Sequence, residues 1–220
     1  MCEKSSPLIR NFRKPLDCLG AVAEEGIRGG RLRKCSSGRN GIVIDEVGMQ
    51  TTLNKIREHR PCKEGWATLL KGLGKTSPDD EPLRMVMILE INGLDDAIWA
   101  LRAVEGKERE MRLFAIGCAR EVQHSMTDKR SLAALDVGER YANGLASVDE
   151  LHAANAAAVD AAWSSRCEAA WAARAASRES ALVAASCAPL AARSAYGYCY
   201  GEWAIKEAVQ VQLFRKMCES

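Results

Sequence analysis

Residues able to do chemistry are present in this sequence, but their spacing argues against a reaction centre. Gly72, Leu73, Gly74, Lys75, Thr76 and Ser77 match the end of a phosphate-binding loop, whose backbone N–H groups cradle phosphates while the lysine reaches the terminal ones. That loop needs a glycine five residues before Gly74, where Leu69 stands, and a strand before it where a helical pattern runs. A helix end closed by Gly74 explains the residues better. Asp79, Asp80 and Glu81 would suit a metal or an acid–base pair, yet carboxylates clustered ahead of a helix ordinarily complement its positive end. Asp95 and Asp96 have the same explanation. His59 and Cys62 form a lone H-x-x-C without a second pair, short of a zinc site. Cys118 and His124 are six apart in one predicted helix and point differently. The expectation is a chain with no catalytic residue, cofactor or metal.

A different kind of site is suggested further along. Trp163, Arg166, Trp171, Arg174 and Arg178 fall in a sector of roughly 140° when counted on one continuous helix. Arg166, Arg174 and Arg178 have no Asp or Glu three or four residues away, so intrahelical pairing leaves them charged. Trp163 with Arg166, and Trp171 with Arg174, are each spaced for cation–π stacking. Either carboxylates of the preceding helices meet these arginines and the indoles are buried, or the face is open. Trp with Arg is then the composition of a protein-binding hot spot. Phosphate binding is a third option.

Composition limits the alternatives. Of 220 residues, 47% are hydrophobic, 27% charged and only 5% aromatic, with alanine heavily used. That is globular usage biased toward closely packed helices. The net charge of +2 is too small to argue for a nucleic-acid partner, and it is unevenly spread. Residues 1–48 hold nine Lys/Arg against six Asp/Glu, leaving 22 of the 31 Lys/Arg against 23 of the 29 Asp/Glu for the rest. Any basic surface on the body must therefore come from local arrangement. The nine cysteines are odd in number and contain no C-x-x-C pair, which favours free thiols in a reducing cytoplasm. The first residues lack the apolar core of a signal peptide, and no apolar window is long enough for a membrane span.

The elements that must position these residues read as helix after helix. Residues 1–48 hold seven of the seventeen glycines and no sustained period; only Ile42, Val43 and Ile44 resemble a strand. One reading makes Met49 the natural start and the preceding segment a poorly ordered extension; the other makes that segment a flexible basic arm. Residues 49–145 then predict a helical bundle. Trp66, Leu69, Leu70 and Leu73 form one face, ended by Gly74. Asn92 and Gly93 open a second helix with Leu94, Ala97, Ile98, Leu101 and Val104, closed by Gly106. Met111, Phe114, Ala115, Cys118 and Val122 form a third face, and a fourth helix from about Asp128 stops at Asn143 and Gly144. Ser147 and Glu150 make a capping box.

Residues 146–220 predict an Ala-rich hairpin. Its long helix runs from the capping box to about Cys187, stopped by Pro189, with Leu151, Ala154, Ala158, Ala161, Ala162, Ala169, Ala172, Ala173, Ala176 and Val183 on one face. Tyr196 to Gly201 is a bend, and a last helix with Ile205, Val209, Leu213 and Met217 is the antiparallel partner. The predicted fold class is all-α: a compact helical bundle followed by this hairpin.

The segments 95–102 and 109–120, with Ala134 to Gly144 and the units Ala161-Ala162-Trp163 and Ala170-Trp171-Ala172-Ala173-Arg174, resemble a family of bacterial and prophage proteins. These share a short helical domain followed by a tail of alternating Ala-Ala-Trp and Ala-Ala-Arg units. Some are immunity proteins of polymorphic toxin systems that neutralise a nuclease toxin; prophage relatives share an N-terminal part similar to Pro61 to Trp66 and Leu73 to Thr76. The resemblance spans Met49 to Arg178, and Ser164-Ser165 and Ser186 to Pro189 interrupt the regular tail, which implies a different target. It implies a cytoplasmic, protein-binding inhibitor with a toxin or host defence component as partner. The alternatives are a nucleic-acid-associated protein using Arg31, Arg33, Lys34 and the long-helix arginines, or an enzyme using the acidic run or Cys118. The oligomeric state is left open.

Overall fold

The computed structural model describes residues 48–165, 167–195 and 200–220, the side chains of 200–206 excepted. Residues 1–47 of the extension with the strand-like Ile42 to Ile44, Arg166, residues 196–199 of the expected bend and the side chain of Ile205 lie outside the described residues. Tyr200 and Gly201, expected in that bend, instead begin the last helix. The fold is all-α apart from one two-stranded antiparallel ribbon among the described residues, in which β1 (Gln50–Thr51) pairs with β2 (Leu83–Arg84).

Thr52 caps α1 (Leu53–Glu58) by accepting from the Lys55 N–H. Arg60 turns the chain at φ 54, the left-handed region usually left to glycine, and α2 (Lys63–Gly72) follows. Gly74, at φ 66, ends α2 as its spacing predicts, with Lys75 N–H closing on Leu70 O. Then come α3 (Met85–Asn92), α4 (Leu94–Ala100) with a 3-10 turn over Leu101–Ala103, and α5 (Glu108–Arg120). Gly106, at φ 71, separates the last two. After α6 (Lys129–Ala142), Gly144 takes φ 71 and the capping box closes in both directions, Ser147 N–H to Glu150 and Glu150 N–H to Ser147 Oγ.

α5 is the shared wall of two core regions. Its Met111, Phe114 and Cys118 pack with α3, α4 and the C-terminal Phe214 and Met217. Its Ala115, Ile116 and Ala119, with Val122 just beyond its end, meet Leu135 and a cluster of alanines. Phe114 and Phe214 stack edge to face, with centroids 5.6 Å apart.

The single long helix expected after the capping box is instead three: α7 (Val148–Ser165), α8 (Glu168–Ala176) and α9 (Ala181–Ser194). Serines account for the breaks. Ser164 Oγ donates back to Asp160 O at 2.6 Å, and Ser165 Oγ accepts from the Cys167 N–H, competing with helix continuation. Ser177 Oγ turns onto Arg174 O, and Ser180 caps α9 through the Val183 N–H. Folding the segment back lets the alanine faces of α8 (Ala169, Ala172, Ala173, Ala176) and α9 (Ala184, Ala188, Ala191, Ala192) close on each other and on α5, burial a straight helix could not achieve.

Pro189 does not stop α9 either. It lies buried inside that helix, where packing on α5 and α8 offsets the missing hydrogen bond, and Gln210 Nε2 donates to its carbonyl at 3.0 Å. The last helix, α10 (Tyr200–Glu219), packs chiefly on α5 rather than on a long Ala-rich partner. Its buried side is Gln210, Phe214, Met217 and Cys218, with Val209 and Leu213 only half-buried.

Candidate interaction site

The groups that drew attention as chemistry are held by structure. Lys75, at the end of α2, donates to Asp79 at 2.6 Å and Glu81 at 2.7 Å, so the would-be phosphate lysine and the acidic run satisfy each other. The lysine holds the Asp79 carboxyl below its usual range, and Asp79 raises Lys75 in return. Cys62 caps α2, its sulfur accepting the Gly65 N–H. Cys118 is fully buried and burial pushes its thiol strongly upward, the opposite of nucleophile activation. No group of three His, Cys, Asp or Glu among the described residues is placed to hold a metal. Over α6, Asp136, Glu139, Arg140, Asn143 and Leu145 line an open, shallow depression, with Arg120 tied to Asp136 and Glu139 beside it.

Asp95 and Asp96 stand in the first turn of α4, as expected, but Asp95 also has a tertiary role. Asp95 pairs with the buried Arg193 of α9, and Asp96 accepts from Asn92 Nδ2 at 2.9 Å. Glu207 of α10 is pushed up by burial and held back by Arg193. This polar seam between α4, α9 and α10 joins residues about a hundred positions apart and leaves no local signal in the chain.

The tryptophans come together by a route different from the helical count. Trp163 is near the end of α7 and Trp171 in α8, and the change of direction between the two helices brings one indole onto the other. Their rings meet edge to face, with centroids 5.1 Å apart at 84°. Trp171 is half-buried, packed against the alanine-rich core shared by α5, α8 and α9, whereas Trp163 is 63% exposed. The Arg174 guanidinium lies over the Trp171 ring at 5.4 Å, one of the two expected stacks. The other involves Arg166, which lies outside the described residues. Asn155 of α7 donates to Arg174 O and Ser177 Oγ, locking α7 against α8.

Behind this face stands a residue the sequence did not flag. Arg112 of α5, buried, donates from Nη1 to Arg178 O at 2.6 Å and from Nη2 to Glu179 O, and its guanidinium covers the Tyr141 ring at 4.9 Å. It fastens the α8–α9 turn to the central helix and sets where α8 ends. Its helical position, beside the apolar Met111, could have been read as amphipathic surface.

Together these features define a class: an all-α protein built on alanine-faced helices, with an exposed indole held on a rigid hairpin. Comparison with protein-family models, with curated proteins and with solved structures finds no match. No helix among the described residues is long and apolar enough to cross a membrane.

Proposed function

We propose that this chain is a non-catalytic protein-binding inhibitor, either an immunity protein of a toxin system or a prophage protein acting against a host defence component. The observation carrying this reading is the exposed Trp163, braced edge-on by Trp171 with Arg174 over the second ring. An indole 63% exposed leaves roughly 150 Å² in water, worth about 3–4 kcal/mol if a partner covers it. Because Trp171 already fixes the ring, little side-chain freedom is lost on binding. Inhibition by occlusion needs a complementary rigid surface and no catalytic group. The resemblance to immunity and prophage proteins supports the class of partner.

The test is a pull-down from host lysate with the tagged chain and its Trp163→Ala variant, with and without nuclease, read by mass spectrometry. The expected result is one stoichiometric protein that survives nuclease and is lost with Trp163→Ala, while circular dichroism shows the same helix content. Equal recovery by the variant removes this face as the contact. Partners lost on nuclease treatment move the reading to nucleic acid.

A further inference from the structure

The large hydrophobic residues exposed among the described ones are Met87, Leu145, Val148 and Trp163, and all but Met87 lie in α7 or the turn leading into it. At 100° per residue, Val148, His152, Ala156, Val159 and Trp163 fall within about 80° of one another on α7. Val159 is half-buried and the others are exposed. The contacts of α7 fix which way this stripe faces. Leu151, Ala158, Ala161 and Ala162 form the buried side, Asn155 bonds to α8, and Glu150 pairs with Arg140 of α6. The stripe takes the remaining, outward arc and runs about 22 Å along the axis.

The charge along this face is acidic. α7 carries Asp149, Glu150 and Asp160 and no Lys or Arg. Asp149 and Asp160 follow Ala156 in the angular count, at about 100° and 120° from Val148. Both are exposed, and their carboxylates make no ion pair or hydrogen bond among the described residues. From the α8–α9 turn the exposed Glu179 meets His152 at 3.0 Å. Neighbouring cations are engaged within the chain. Arg130 of α6, which feels the charge of Asp160, is bonded to Asp128 at 2.7 Å, and Arg174 lies over Trp171. Arg178, half-buried and next to Glu179 in the chain, offsets one of the three carboxylates.

We infer that this face of α7 seats a basic amphipathic helix of the partner protein, with its apolar side along the stripe and its Lys/Arg against Asp149 and Asp160. The inference rests on the reading of Trp163 as a partner contact. Apolar groups recurring every three or four residues on a helix form the ridge against which a second helix packs. Ala156, small and exposed between Val148 and Trp163, lets that helix approach closely, and the indole supplies the anchor. A second copy of α7 fits less well. Laid antiparallel with Val148 against Trp163, it brings Asp160 of one copy within about 3 Å, along the axis, of Asp149 of the other, on the same flank. Laid parallel, it turns that flank toward the side carrying Glu179. Like charges meet in either arrangement, whereas a basic helix answers both aspartates.

The probes are two labelled peptides of about 18 residues, with leucine at helical spacing and either lysine or glutamate elsewhere. Each is titrated with the full chain by fluorescence anisotropy at about 0.1 M salt. The lysine peptide is expected to bind and the glutamate peptide not. Asp149→Asn with Asp160→Asn is expected to weaken the lysine peptide about five- to tenfold, and Trp163→Ala about tenfold or more, with helix content unchanged. Glu58→Gln with Asp80→Asn, which removes two exposed carboxylates of other elements, is expected to leave the affinity unaltered. No binding of the lysine peptide, equal binding of both peptides, or wild-type affinity in the double asparagine variant overturns the inference. A dimer seen by sedimentation and abolished by Trp163→Ala overturns it in favour of a second copy. In the lysate pull-down, a partner lost with Trp163→Ala but kept by the double asparagine variant overturns this inference alone and leaves the inhibitor reading in place.

Discussion

Replacing Arg112 with methionine tests whether the α8–α9 turn is held by one buried guanidinium. The substitution removes two charge-assisted hydrogen bonds, to Arg178 O and Glu179 O, and the cation–π contact with Tyr141. At about 1.5–3 kcal/mol per bond and roughly 1 kcal/mol for the ring, the gross loss is about 4–7 kcal/mol. Against it stands relief of desolvation: Arg112 is 3% exposed, burial lowers its pKa, and methionine of similar length fills part of the space with an apolar chain. Allowing a few kcal/mol for that relief, the net destabilisation is about 3 kcal/mol. In a chain of 220 residues this lowers the melting temperature by about 6–12 °C. Urea unfolding followed by far-UV circular dichroism measures it, with Arg112→Lys expected to fall between because an ammonium cannot span both carbonyls as the planar fork does. Near-UV circular dichroism should lose intensity from the Trp163–Trp171 pair as α8 loosens. An Arg112→Met protein within about 0.5 kcal/mol of wild type would refute the reasoning, since desolvation would then match everything the clamp contributes.

Arg60→Gly is expected to raise the melting temperature by about 1–3 °C, because glycine relieves roughly 1 kcal/mol of left-handed strain at φ 54 and returns part of it as chain entropy. A calorimetric scan showing a lower melting temperature contradicts this. The Lys75–Asp79 pair has a defined pH window. Asp79 is depressed from 3.8, so its contribution is present above about pH 4 and is lost as pH falls through the lowered value; Lys75 is raised from 10.5, so its contribution is present below about pH 10 and is lost at higher pH. Urea midpoints of wild type and Asp79→Asn should therefore differ at neutral pH and converge in strong acid. A constant gap across the acid limb would show that the pair is not its source.

Much of the molecule was legible because its signals are local. The Gly74 and Gly144 helix ends and the Ser147–Glu150 box depend on backbone groups within a few residues, and the structure realises each of them. The face Met111, Phe114, Ala115, Cys118 and Val122 is buried throughout, because a one-sided apolar stripe at helical period has only one way to leave water. By the same logic the phosphate-loop match dissolved into a helix end whose lysine meets the acidic run.

The chain by itself thus determined an all-α protein, the helix ends at Gly74 and Gly144, the starts at Gly93, Asp128 and Ser147, and the buried side of α5 and α8. It did not determine that of α9, where Val183 is only half-buried and the alanines from Ala181 to Ala192 face the core. Only the tertiary structure decided that the alanine segment is three helices. Alanine propensity favours continuing through residues 166 and 177–180, and the serines there tip the balance only because the folded-back faces bury one another. It also carried the chain through Pro189, paired Asp95 with Arg193, and folded Trp163 onto Trp171 across a turn instead of along a helix. These outcomes share one physical cause. Each depends on contacts between residues brought together by packing, whose energy exceeds the local preference a stretch of sequence can express.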